Sequence, residues 1–128
     1  MSTEHNKAIL RRWFEAWNTR NVSVLEALVD ETFTADFVAH VNAQPAARMG
    51  REGMKQFVRT GLKNTPDIQI TVEDMIAEGD RVAVRYTPAG TDASTGKPTR
   101  TLVIQICRMV GGKMAEAWAA NVPAESGT

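Results

Sequence analysis

Cysteine is nearly absent. Cys107 is the only one in 128 residues, so the chain cannot close a disulfide on itself, and a thiolate zinc site is excluded. Histidine is almost as scarce. His5 and His40 lie far apart with no His-x-x-x-His spacing, so no metal set is expected. No glycine-rich phosphate loop follows a strand and opens a helix, so no nucleotide is expected, and no cofactor of another kind either. Charge of one sign is missing too. Fifteen basic and fifteen acidic residues cancel to a formal net charge of zero, which argues against nucleic acid as a partner. No like-charge block forms a polyelectrolyte tail. No apolar run approaches the ~18 residues of a membrane span. Residues 1–7 lack the apolar core of a signal peptide, so the expected setting is the cytoplasm.

What remains is an ordinary globular composition, 43% hydrophobic, at a length that fits one domain spanning residues 1–128 and can bury a core around a cavity. Ile9, Trp13 and Trp17 recur every four residues, with Leu10 and Phe14 widening the stripe, which predicts an opening helix capped by Ser2 or Thr3. The run from Asn18 to Asn21 breaks it. Ser23 is the expected cap of a short second helix that buries Leu25, Leu28 and Val29. Phe37 to Val41 is a short strand or extended turn, and Asn42 to Gly50 a loop. A third helix is expected from about Arg51 to Lys63, with Met54, Phe57, Val58 and Leu62 on its apolar face and Pro66 ending it.

The second half changes period. Ile68, Ile70 and Val72 alternate with polar residues, and so do Val82, Val84 and Tyr86. A polar loop, Asp92 to Pro98, leads to a β-branched strand from Thr101 to Val110. Gly111-Gly112 suits a two-residue hairpin turn with positive φ, Lys113 to Val122 returns, and Pro123 to Thr128 forms a frayed tail. Helices first and long antiparallel strands afterwards define an α+β chain: three N-terminal helices packed on a strongly curved, mainly antiparallel sheet.

The order of these segments resembles a known family. The helix Asn6 to Asn18, the histidine-bearing Phe37-Val38-Ala39-His40, the helix start Gly50 to Phe57, the hairpin Val72 to Tyr86 and the closing Gly112-Lys113-Met114-Ala115-Glu116-Ala117-Trp118 are similar to SnoaL-like polyketide cyclase domains of the NTF2-like cone fold. The resemblance runs from about residue 6 to 122. It implies a hydrophobic, polycyclic or polyketide-like small molecule held in the cone, and ring closure or cofactor-independent hydroxylation as the reaction. Family members usually carry a histidine before the last-strand tryptophan and an aspartate soon after it. Here Ala117 and Asn121 stand in those places. Neither alanine nor an amide can take a proton from carbon, so aldol ring closure through that carboxylate is disfavoured against hydroxylase-type chemistry. A non-catalytic ligand-binding protein is the alternative.

A two-residue turn at Gly111-Gly112 sets an expected register in which Cys107 faces Glu116 and Gln105 faces Trp118. Both hairpin faces are largely apolar. One is expected to line the cavity, and the other to meet helices or a second copy in a homodimer. The expected catalytic residues are His40, the residue type best suited to hold or give a proton, Gln105 orienting a substrate oxygen, and Asp36 acting with the histidine. Asp74 and Glu116 are further carboxylate candidates. Trp17, Tyr86, Trp118, Arg108 and Asn121 are the expected substrate contacts, with Arg108 able to hold an enolate or phenolate. Each has a plainer reading: the tryptophans as core, Glu116 as an ion-pair partner of Arg85 or Arg108, Cys107 as a small core side chain.

Overall fold

The computed structural model describes residues 2–123. Ser2 caps helix α1 (Thr3–Ala16), its hydroxyl accepting from His5 N–H at 3.0 Å, so His5 belongs to the first helical turn. A 3-10 turn, Trp17–Thr19, follows and ends at Arg20 in the left-handed region. Helix α2 (Val22–Thr32) is capped by Asn21, not Ser23; the Asn21 amide oxygen accepts from Val24 N–H at 3.1 Å. The first strand, β1, runs the full length of Phe33–Val41, where only its second half was expected. A two-residue strand β2 (Ala47–Arg48) interrupts the following loop, and helix α3 spans Gly50–Asn64.

Four long strands complete the chain: β3 (Gln69–Glu78), β4 (Arg81–Thr91), β5 (Pro98–Val110) and β6 (Lys113–Pro123). Pro123 therefore ends a strand, and the rest of the expected tail lies outside the described residues. The sheet order is β2-β1-β6-β5-β4-β3. All neighbours are antiparallel except β1 and β6. The sheet curves without closing, and the three helices pack on its inner face. Pro88 is tolerated in β4 because the β4–β5 ladder is interrupted between Tyr86 and Ala89, where no partner needs its missing N–H.

The core forms between the helices and that inner face. Leu10, Trp13, Phe14 and Trp17 from α1 and its following turn meet Leu25, Val29, Phe33, Val58, Val82 and Cys107. Cys107 has no exposed surface, so its expected role as a core side chain holds. Phe57 departs from the expected apolar face of α3. It is 54% exposed and stands where the core opens into a cavity.

The hairpin register also departs from expectation. Gly111 and Gly112 do form the turn, both with positive φ, and Val110 pairs Lys113. Beyond Met109–Met114 the register slips by one, so Cys107 faces Ala117, Ile106 faces Trp118 and Gln105 faces Ala119. A bulge at Met114-Ala115 absorbs the extra residue and turns both side chains into the core, where they are 1% and 8% exposed. Every β6 side chain after it changes face. Ala117, Ala119 and Asn121 point inward, while Glu116 and Trp118 point outward.

Candidate functional site

A cavity of about 240 Å³ lies between α1, α3 and the inner sheet face. Trp13, Phe14, Phe33, Phe37 and Phe57 supply aromatic walls, and Met49, Met54 and Met114 soft ones. The Phe33 ring sits edge-on to Trp13 at 4.9 Å and to Phe37 at 4.8 Å. Ala39, Ala117 and Ala119 line it without filling it. The alanine-rich last strand therefore makes the space.

Few polar groups reach this space. Tyr86 Oη donates to Gln105 Oε1 at 3.0 Å, and Gln105 Nε2 donates to Cys107 Sγ at 3.2 Å. Burial pushes the Cys107 thiol up to about 12, partly opposed by the Gln105 amide. Burial, and then the neighbouring Cys107, push the Tyr86 phenol above its usual range. Both groups are therefore neutral near pH 7 and neither is a base there. They form a short neutral relay with hydrogen-bonding capacity and no charge.

Asn121 borders the cavity. Its amide oxygen accepts from Asn42 Nδ2 at 3.1 Å, and its backbone N–H donates to Asn42 Oδ1 at 2.9 Å. Asn42 sits at φ 51°, a conformation asparagine tolerates better than most residues. This clasp ties the loop after β1 to the end of β6.

The expected site residues divide between two faces. Gln105, Tyr86 and Asn121 border the cavity together with part of His40. Trp17 lies deeper, along the 160 Å³ chamber on the far side of Phe14. Strand alternation turns the His40 ring outward, where it stacks on Trp118 at 5.2 Å and 4° and Nε2 meets Glu116 Oε2 at 2.7 Å. Arg108 Nε reaches the other Glu116 oxygen at 3.1 Å, and the Arg81 guanidinium lies 5.1 Å over Trp118. The His40 contact and Arg108 together hold the Glu116 carboxyl below the usual carboxylate range. Of the two arginine partners weighed for Glu116, Arg108 takes it; Arg85 pairs with Asp74. Asp36 is exposed on β1, so the carboxylate at His40 is Glu116. Sequence reasoning missed Phe33, Phe37 and the two methionines of the loop and third helix as cavity walls. The spacing of Phe33 and Phe37 within one strand, both odd-numbered, was the available signal.

A curved sheet around an apolar cavity, with a neutral hydrogen-bonding pair at its wall, defines a cone of the NTF2-like class. The SnoaL-like domain profile matches residues 10–117, and the chain belongs to that family. Solved structures agree. AclR, a proposed hydroxylase from Streptomyces galilaeus, is 27% identical with a TM-score of 0.78, over 94% of this chain and 80% of its own. A proposed polyketide cyclase from Bacillus cereus is 26% identical with a TM-score of 0.74, over 94% and 78%. A proposed SnoaL-like polyketide cyclase from Jannaschia sp. CCS1 shares the fold at 20% identity, with a TM-score of 0.81 over 93% and 86%. No curated protein sequence matches the chain. Among the described residues no helix is long and apolar enough to cross a membrane.

Proposed function

We propose that the chain is a cofactor-independent SnoaL-like enzyme, of hydroxylase type in preference to aldol cyclase type, that takes a hydrophobic, oxygen-bearing aromatic or polyketide-like molecule into the cavity. The observation that carries this reading is the Tyr86–Gln105 hydrogen bond at 3.0 Å on the wall of an otherwise apolar space. Such a pair can open to take a ligand phenol or carbonyl without burying a charge. The family's aldol ring closure works through a last-strand carboxylate, and Asn121 stands in its place. His40 is the proton carrier of the proposal. Part of the residue borders the cavity while its ring lies outward against Trp118 and Glu116, so proton transfer requires a side-chain rotation that brings the ring inward. The 2.7 Å contact with Glu116 would stabilise the imidazolium when the ring swings back with the proton.

A second reading, ligand binding without turnover, has its own support: the groups of the Tyr86–Gln105–Cys107 relay are all neutral near pH 7. Replacing His40 by alanine separates the two. With aromatic polyketide substrates, His40→Ala abolishes turnover and leaves ligand affinity within about threefold if the enzyme reading holds. Turnover that survives the substitution removes His40 from the mechanism. Binding by the wild type with no turnover of any substrate tried favours the second reading.

The reading extends to a homodimer through the outer sheet face. Ile104 and Ile106 are 59% and 45% exposed there, beside Leu102 and Val122. Such a contiguous apolar stripe suits a second copy of the same sheet. Sedimentation of Ile104→Glu as a monomer, against a dimeric wild type, is the expected result; a monomeric wild type would exclude the dimer.

A further inference from the structure

The cavity alone is small for the ligand class proposed above. At about 240 Å³ it falls below the ~300–1,000 Å³ usual for small-molecule sites. A second chamber of about 160 Å³ adjoins it, and Trp13, Phe14, Phe57 and Tyr86 border both spaces. The Phe14 and Tyr86 rings, 4.3 Å apart, stand between the two chambers, and Phe57 flanks them with more than half of its surface uncovered. An exposed phenylalanine at the junction of two apolar spaces has few contacts to lose when it swings.

The far wall of the second chamber has a missing side chain. Gly61 lies within helix α3, where glycine is among the poorest helix formers. A β-carbon added there would stand 3.1 and 3.2 Å from Trp17 Cζ3 and Cη2. The bare Cα leaves the Trp17 edge as a wall. Ile68, Ile70 and Pro88 complete an apolar lining.

We propose that the two chambers form one bipartite site. The oxygenated aromatic ring of the ligand sits on the Tyr86–Gln105 pair, and an apolar substituent of that ring passes Phe57 into the chamber bounded by Gly61 and Trp17. The ligand class is then an aromatic alcohol or ketone carrying a short alkyl or second aromatic arm. This rests on the small-molecule reading of the main cavity and adds a specificity subsite to it. Gly61 and Ile68 are its specificity-determining residues.

The test uses two probes, 2-naphthol and 6-butyl-2-naphthol, titrated into the protein and followed by isothermal calorimetry. Each methylene moved from water into an apolar chamber tightens binding roughly fourfold at best. The butyl compound is therefore expected to bind the wild type more than tenfold tighter. Gly61→Ala narrows the chamber from the helix side and Ile68→Phe fills it from the strand side, and in both the ratio of the two affinities should fall below threefold. Two variants on different elements guard against one failing to fold, which circular dichroism checks. If 2-naphthol binds but the butyl group adds less than twofold, or if the ratio survives in Ile68→Phe, the bipartite site is overturned and the main cavity stands. If neither compound binds the wild type, both readings fall together.

Discussion

Asn18 offers the sharpest test of how the fold builds its inner wall. Its side chain acts as a surrogate strand residue. Nδ2 donates to the Ile70 carbonyl at 3.0 Å, and Oδ1 accepts from Ile70 N–H at 2.7 Å. Strand β3 is a sheet edge, and these two backbone groups point away from β4, towards the turn after α1. Asn18→Ala removes both bonds. Each contributes about 0.5–1.5 kcal/mol net, and a part-buried backbone group left without a partner costs about 1–3 kcal/mol. Water can reach this edge in part, so a total of about 2–3 kcal/mol is expected. For a domain of this size that corresponds to a fall in Tm of roughly 8–12 °C. Thr19→Ala is the control, because the Thr19 hydroxyl donates to Ala16 O one turn back and accepts a long 3.3 Å bond from Asn21 N–H, both at exposed sites open to water, and should change stability by about 0.5 kcal/mol. Urea denaturation should show a lower midpoint for Asn18→Ala with an unchanged slope. An Asn18→Ala melt within about 2 °C of wild type, or an equal loss in Thr19→Ala, would refute the clamp.

Three other outcomes are expected. Gly90→Ala should destabilise by about 1–3 kcal/mol in urea denaturation, because the added carbon would lie 2.5 Å from Thr65 Cγ2 and 2.9 Å from Asp67 Oδ1, the oxygen that accepts from Thr91 N–H. Cys107, fully buried and with its thiol pushed up to about 12, should resist iodoacetamide at pH 8 in the native protein and react within minutes in urea; rapid native labelling would contradict its place in the core. Glu116 has a folded pKa below its unfolded value. Its stabilisation is therefore present above the unfolded value near ~4.3 and is lost as pH falls through the folded one. Glu116→Gln should melt below wild type at pH 7 and converge with it towards pH 3, and a gap that stays constant across that range would remove the His40–Glu116–Arg108 cluster from the stability of the fold.

Much of the architecture was legible where one physical signal dominated. The stripe of Ile9, Leu10, Trp13, Phe14 and Trp17 at helical spacing gave the first helix, and all but the half-buried Ile9 are buried. The alternation from Ile68 to Val72 and from Val82 to Tyr86 gave the strands, and two glycines gave the turn. The face of β6 was not legible. From Ala115 to Ala120 one face carries three alanines and the other Glu116, Trp118 and Ala120, so neither face has the bulky aliphatic run that marks a core, and a one-residue bulge inverts every later side chain. Trp118 and Glu116 consequently stand outward, where they meet the His40 ring, and Gln105 meets Tyr86 instead of Trp118. Phe57 misled in the opposite way. Its helical phase is that of the core, but the cavity removes the neighbour that would have covered it. The Asn42–Asn121 clasp joins residues 79 positions apart, beyond any local pattern.

The central claim is that the cavity walled by the last-strand alanines holds a hydrophobic aromatic ligand. Native mass spectrometry of the protein taken straight from its producing cells, under mild and then harsh desolvation, tests it most directly, with Ala117→Phe alongside. Ala117 is 5% exposed and lines the cavity, so a phenylalanine there fills the space. The account predicts a retained small aromatic molecule on the wild type and none on the variant. The same adduct on both proteins, or a ligand-free wild type that also fails to take up 2-naphthol added before spraying, would contradict it.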